Sequence, residues 1–195
     1  MDKFSDKDTA ARPKNDRAFL SRLELKPVPD LTDHIIFWFS AVAGVALDLW
    51  SKSAVFKFLE DRHTDGITVL NGFLQIVWAE NTGAAFGVAA GKQRFLMIVS
   101  AISLIVIILL FLFGSRKARL FYLALAFFAA GISGNLHDRL FNDGRVRDFI
   151  DFIYWPGKHW PAFNVADSLL CTAVGIILIL NFTGSLYQKP RQSQK

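Results

Sequence analysis

The sequence predicts an all-α membrane protein, a four-transmembrane-helix bundle with a small extracytoplasmic β-hairpin or sheet. Three observations predict it: 52% of the 195 residues are hydrophobic, four long segments are apolar, and two β-prone runs flank one turn dipeptide. The apolar share exceeds the roughly 45–50% of soluble proteins. A single cysteine, Cys171, excludes an intramolecular disulfide framework and every multi-cysteine zinc pattern.

The length of each apolar segment is close to the length of about 20 residues that a helix needs to cross a hydrocarbon core. Residues 95–115 carry no charge between Arg94 and Arg116, and residues 168–188 are also uncharged. The other two are shorter, and the first is interrupted by Asp48. We predict membrane spans at about residues 35–51, 95–115, 120–136 and 168–188.

The distribution of basic residues predicts the orientation of the bundle. Arg116, Lys117 and Arg119 crowd the turn between the second and third spans, and both ends of the chain are basic. Cytoplasmic loops carry such an excess of Lys and Arg, which also accounts for the net charge of +5 without a nucleic-acid partner. We therefore expect a polar cytoplasmic tail at 1–32, a membrane domain at 33–188 with outer loops at about 52–94 and 137–167, and a cytoplasmic tail at 189–195.

The first outer loop is too long to lack structure. Residues 67–70 and 73–78 are β-prone and enclose Asn71-Gly72, the dipeptide that best fits a type I′ turn. The loop therefore predicts a hairpin. Four tryptophans fall outside or at the outer interface, where aromatic belts form: Trp50, Trp78, Trp155 and Trp160.

Polar and charged residues in or near a membrane span indicate a structural or functional role, because burying each one costs free energy unless it is paired or hydrated. Asp48 and Lys52 are four residues apart on one helix face, which favours an ion pair. The motif NTGAAFG combines Asn81, an amide that can orient a ligand or a carboxylate, with small residues such as Gly83 that permit close backbone approach.

A further polar group ends the third span in the motif GNLHDRL. A continuing helix presents Asn135, Asp138 and Arg139 together, and Arg139 is able to pair with an acid. Structural bracing is the stronger interpretation of this group.

The motifs VRDFIDF and FNVADS supply Asp148 and Asp167, 19 residues apart by number. A loop of that length allows both carboxyls to converge at the outer mouth of the bundle. Two close carboxyls share a proton, so one acts as a base and the other as an acid in water attack on a peptide carbonyl. Asn164 is placed to hold Asp167 or a substrate carbonyl.

Other interpretations stay open at this point. Asp148 and Asp167 could instead cap helices and pair with Arg145 and Arg147. Asp151, three residues after Asp148, could assist the site directly, but a solvated or arginine-paired acid is the more common interpretation. A proton or cation relay and a purely structural scaffold are the alternative functions. The four histidines lack metal-ligand spacing, and we expect neither a metal nor another cofactor.

These motifs, in this order, resemble the lipoprotein signal peptidases, or signal peptidase II, a family of bacterial membrane aspartyl proteases. The resemblance covers roughly residues 32–188 and implies a four-helix bundle with a small periplasmic β-structure in the inner membrane. It implies cleavage of the signal peptide from diacylglyceryl-modified prolipoproteins just before the lipidated cysteine.

The resemblance also implies roles for individual residues. Asp148 and Asp167 match the catalytic aspartates, and a globomycin-type cyclic peptide is the expected inhibitor. The matching substrate-binding or site-supporting residues are Asp48, Lys52, Asn81, Gly83, Asn135, Asp138, Arg139 and Asn164.

Overall fold

The structure, a computed structural model, describes residues 29–83, 91–114 and 119–184. Most of the predicted N-terminal tail, the C-terminal tail, the basic turn at 115–118 and the second half of NTGAAFG lie outside these residues. The helices are α1 (Leu31–Asp61), α2 (Gln93–Phe113), α3 (Arg119–Phe141) and α4 (Val165–Phe182). The strands are β1 (Gly66–Leu70), β2 (Leu74–Asn81), β3 (Val146–Trp155) and β4 (Lys158–His159).

The predicted fold class is confirmed. Within the described ranges, four helices are long and apolar enough to cross a membrane. Two helices extend beyond the apolar segments predicted as spans: α1 continues from residue 51 to Asp61, and α3 continues from residue 136 to Phe141. Buried Phe56 and Leu59 pack the far end of α1.

Aromatic side chains fill the core at one end of the bundle. Phe37 of α1 stacks on Phe111 of α2 with ring centroids 4.0 Å apart, and Tyr122 of α3 meets Phe111 edge-on at 5.6 Å. Asp30 caps the start of α1 by accepting a hydrogen bond from the backbone N–H of Asp33 at 2.8 Å. This end of the bundle is held chiefly by packing.

Small residues bring α3 close to α1 and α4 at the other end of the bundle. A Cβ added at Gly134 would lie 2.3 Å from the Asp48 carboxylate oxygen Oδ2, and one added at Gly131 would lie 2.6 Å from the Ala166 carbonyl oxygen. Any side chain at Gly134 would therefore occupy the space that the Asp48 carboxylate requires.

The strands form one antiparallel sheet in the order β1-β2-β3-β4. The predicted hairpin is present, but its turn is not type I′, because Gly72 has a positive φ of 73° and Asn71 does not. The sheet packs on the far end of α1, where Trp78 contacts Phe56 with centroids 4.4 Å apart. Strand β3 starts beside the C-terminal end of α3 and therefore places Asp148 at this end of the bundle.

Candidate active site

Asp148 lies on β3, opposite Ala79 of β2, and is 3% exposed. Its Oδ1 accepts a hydrogen bond from the Asn164 side-chain amide at 2.7 Å, and its Oδ2 accepts one from the Asn81 amide at 3.2 Å. Both oxygens of this carboxyl are therefore held in place by side-chain amides.

Asp167 lies in the first turn of α4 and forms a capping box with Asn164. Its backbone N–H donates to Asn164 Oδ1 at 3.0 Å, while its Oδ2 accepts from the Asn164 backbone N–H at 3.2 Å. Its Oδ1 accepts from the Asn135 side-chain amide at 2.8 Å. A helix N-terminus stabilises negative charge, so this position favours an ionised carboxylate.

Two asparagines join the aspartates into one hydrogen-bond network. Asn164 donates to Asp148 and also to Asn135 Oδ1 at 3.1 Å, and Asn135 in turn donates to Asp167. Burial, followed by the negative charge of Asp167, raises the pKa of Asp148 to about 7. The convergence that the sequence permitted is thus present in the structure.

Asp48 and Lys52 form the buried ion pair expected from their spacing. Lys52 Nζ lies 2.7 Å from Asp48 Oδ2, and both side chains are 0% exposed. The ammonium also lies 3.2 Å from Asp138 Oδ2 and donates to Asn135 Oδ1 at 3.1 Å. The hydrogen bond from Lys52 holds the Asn135 side-chain oxygen and so directs the amide nitrogen toward Asp167.

Asp48 also links α1 to the start of α4. Its Oδ1 accepts a hydrogen bond from the backbone N–H of Ala166 at 2.8 Å. That N–H belongs to the first helical turn, where no partner exists within the helix. The ion pair therefore fixes the helix end that carries Asp167.

Arg147 pairs with Asp138 and not with Asp148 or Asp167. Its guanidinium Nη2 lies 2.7 Å from Asp138 Oδ1, and its backbone N–H donates to Oδ2 at 3.0 Å. Arg145 pairs with Glu80 at 2.6 Å. The alternative in which these arginines neutralise the two central aspartates is therefore wrong, although Asp167 does cap its helix.

Arg139 binds backbone carbonyls where the sequence suggested a carboxylate partner. Its Nη2 donates to the Gly83 carbonyl at 2.8 Å, and its Nη1 donates to the Asn135 carbonyl at 3.4 Å. Gly83 N–H donates to Asn81 Oδ1 at 2.9 Å. Arg139 therefore holds the segment that orients the Asn81 amide toward Asp148.

Asp151 differs from its predicted role as a solvated or arginine-paired acid. It is 6% exposed, and its Oδ2 lies 2.7 Å from His159 Nδ1. Nothing in the spacing of an Asp on β3 and a His on the two-residue β4 indicated this contact. Within the described ranges, no group of three or more His, Cys, Asp or Glu side chains could hold a metal ion.

The charges around the two aspartates nearly balance. The four acids are Asp48, Asp138, Asp148 and Asp167, and the three cations are Lys52, Arg139 and Arg147. One added proton makes this cluster neutral. Neutral clusters bury at lower cost than charged ones.

Fold and site together define a class of protein: a membrane protein of four spans with a carboxyl pair at one end, in which Asp148 is buried and Asp167 is partly buried. A family model described as signal peptidase (SPase) II matches residues 40–183. The lipoprotein signal peptidase of Rhodopirellula baltica is 35% identical over 76% of this chain and 72% of its own. That of a Sulfurihydrogenibium species is 38% identical over 76% and 89%, respectively.

A solved structure of a bacterial membrane enzyme superposes with a TM-score of 0.67 at 30% identity, covering 84% of this chain and 94% of that one. The chain belongs to the signal peptidase II family. It is a membrane protease of lipoprotein maturation, and the resemblance drawn from its motifs is confirmed.

Proposed function

We propose that Asp148 and Asp167 are the catalytic pair of an aspartic-type endopeptidase. Its substrates would be diacylglyceryl-modified prolipoproteins, cut before the lipidated cysteine. The observation that carries the proposal is the shared amide network, in which Asn164 contacts both carboxyls and the pKa of Asp148 is about 7. Perturbed carboxyl pairs of this kind are typical of acid–base sites.

The two environments assign the roles. Asp167, at the helix N-terminus with two donors on its carboxylate, is the ionised base that removes a proton from the attacking water. Asp148, protonated near neutral pH, donates to the carbonyl oxygen as the tetrahedral intermediate forms. Asp167 then gives the proton that it took from water to the leaving amine nitrogen as the C–N bond breaks. Asp148 regains its proton from the hydroxyl of the intermediate as the new carboxyl group forms, so hydrolysis needs no covalent intermediate.

The surrounding residues support this chemistry in different ways. Lys52, Asp48 and Asp138 fix the helix ends and the Asn135 amide. Arg139 and Gly83 position Asn81. The site lies at the end of an apolar bundle, so a lipidated substrate could approach within the membrane plane, and a globomycin-type peptide would compete for the same carboxyls.

A relay of protons or ions fits the charges less well. The aspartates of the site cluster at one end of the bundle, whereas α2 carries no charge after Arg94. Relays distribute ionisable groups along a path through the membrane. The clustering supports a reaction at one face.

The proposed orientation puts both termini in the cytoplasm and the active site at the periplasmic face. Exposed Trp50, Trp155 and Trp160 lie toward the site end, as interfacial aromatics would. Reporter fusions at residues 117 and 158 should report opposite sides of the membrane. Equal signals from both positions would refute this orientation.

The dyad is tested with purified Asp148→Asn and Asp167→Asn in a diacylated-prolipoprotein cleavage assay. Each variant should lose about 10³-fold or more in kcat, because neither amide can exchange the required proton. Asp143→Asn is the matched control, because Asp143 is exposed in the turn before β3 and should retain full activity. Normal turnover by either dyad variant would refute the pair.

The pH profile provides a second test of the same assignment. In the wild type, kcat should fall as the pH rises through about 7, because Asp148 then loses the proton that it donates. It should also fall in acid, where the base becomes protonated. A flat profile with chemistry limiting would contradict a shared proton.

A further inference from the structure

We propose that Asp151 and His159 form a positioning pair that fixes the register of residues 159–163 along β3 and so sets Asn164 against Asp148. For its catalytic consequence, the inference rests on the proposed function. The residues 159–163 are called the return segment below, because they lead the chain back from the outer hairpin to the start of α4.

The pair is unusual for an outer loop because its carboxylate is buried. Asp151 lies three residues after Asp148 on β3 and is almost inaccessible, while His159 is about half exposed. In the described part of the chain, Asp151 Oδ1 has no hydrogen-bond donor, so the contact with His159 at 2.7 Å is the compensation that its carboxylate has. Burial of a carboxylate at this cost implies a role for its partner.

Backbone pairing alone gives the return segment few restraints on register. Strand β4 has only two residues, and its pairing with β3 is irregular between Ile153 and Trp155. Pro161 has no N–H to donate. Beyond β4, Trp160 N–H donates to the Phe152 carbonyl at 2.7 Å, and Phe163 N–H donates to the Ile150 carbonyl at 3.0 Å. The Phe163 carbonyl accepts from the N–H groups of Ile150 and Phe149 at 2.8 and 3.1 Å.

The residue directly after the return segment is the one on which the site depends. Asn164 follows Phe163 directly, donates to Asp148 at 2.7 Å and caps the helix that carries Asp167. A slip of one residue along a strand moves each side chain by about 3.3 Å and turns it to the opposite face. The Asn164 bond to Asp148 could not survive such a slip.

A directional side-chain pair supplies the restraint that the short strand lacks. His159 lies opposite Ile153, and its side chain reaches Asp151 two residues along β3. A slip of one residue would place Lys158 or Trp160 opposite Ile153 and would break this contact. Hydrophobic contacts of this exposed hairpin would discriminate less between registers. The pair therefore acts on Asp148 through Asn164 and does not itself touch the reacting atoms.

The experiment compares Asp151→Ala, His159→Ala and the double variant with Lys158→Ala, a neighbouring exposed β4 residue, as control. Asp151→Asn is included because it retains an acceptor for His159 if the alanine variant folds poorly. Amide hydrogen exchange of peptides spanning residues 159–164 and the kcat and KM for prolipoprotein cleavage are measured at several pH values.

We expect faster exchange in the return segment and about a tenfold or greater loss of kcat with little change in KM. The double variant should be no worse than the single ones, since all three remove one contact. The alkaline fall in kcat should move to higher pH, because the Asn164 hydrogen bond lowers the pKa of Asp148. A protein that is only less stable would keep the wild-type profile.

Unchanged exchange in the return segment would overturn the inference whatever happens to kcat. Faster exchange with unchanged kcat and pH profile would overturn it as well, as would additive losses in the double variant. Full activity of Asp148→Asn would instead refute the proposed function. The exchange data would then decide by themselves whether the pair fixes the register.

Discussion

The two ends of the bundle bury different chemistry in the same helices. At one end, defined here as the aromatic end, Phe37 of α1, Phe111 and Tyr122 stack and meet edge-on. At the other, the polar end, α1 contributes Asp48 and Lys52 to a network of charges and amides. Both ends bury their central side chains, yet only the polar end depends on the direction of each contact.

The two ends differ in whether membrane lipid can replace the contacts that a buried side chain loses. Lipid tails are as apolar as leucine, so aromatic packing between helices competes with an environment of similar chemistry. A buried ammonium or carboxylate has no such substitute and is costly once its partner is removed. The polar end should therefore be far less tolerant of substitution.

Lys52→Met should give the largest effect. It leaves Asp48 and Asp138 buried without their shared cation, which we expect to cost about 3–5 kcal/mol in the free energy of unfolding. Release of the Asn135 amide should also lower kcat by about 100-fold. Thermal denaturation in micelles and the cleavage assay measure both, with Lys57→Met, an exposed lysine of the same helix, as control. Equal behaviour of the two variants would remove the distinction between the ends.

Gly134→Ala should give an intermediate effect. Its new Cβ would fall 2.3 Å from Asp48 Oδ2, so either the carboxylate or helix α3 must move. We expect a loss of about 1–3 kcal/mol and a measurable fall in kcat. Gly175→Ala on α4 is the control, because no atom lies within 4 Å of its added Cβ and alanine is the better helix former. A harmless Gly134→Ala would show that the polar end has room to adjust.

Phe111→Ala should give the smallest effect and only on stability. It removes the ring that contacts Phe37 and Tyr122, at a cost of about 1–2 kcal/mol, below the soluble-core range because lipid or detergent can fill the gap. The kcat of the folded fraction should match the wild type. Phe113→Ala, at a residue 75% exposed, is the matched control. A fall in kcat for Phe111→Ala would show that the two ends are coupled.

The sequence predicted the parts of this architecture that depend on local spacing. Apolar length predicted the spans, and the four-residue interval predicted the ion pair of Asp48 and Lys52. The length of the loop between Asp148 and Asp167 permitted their carboxyls to converge. These signals are encoded within one element or one short loop.

Contacts between distant elements could not be predicted in this way. Arg147 pairs with Asp138 because β3 turns back against α3, and Arg139 reaches Gly83 because the segment after β2 passes over its guanidinium. The pairing of Asp151 with His159 needs the register of β4. Each depends on where two chain segments meet in space, which side-chain type and interval do not specify.

Asn164 is the N-cap of α4 and also donates a hydrogen bond to the Asp148 carboxyl. These two contacts divide the loop between β3 and α4 into a part of fixed length and a part whose length is unconstrained. The number of residues from His159 to Asn164 is fixed, because both ends of this stretch contact side chains of β3. Gly157 lies outside the stretch, at the hairpin tip. It has a φ of 73°, and no atom lies within 4 Å of an added Cβ. An insertion or a label at this tip should therefore leave the distance between the two acids unchanged.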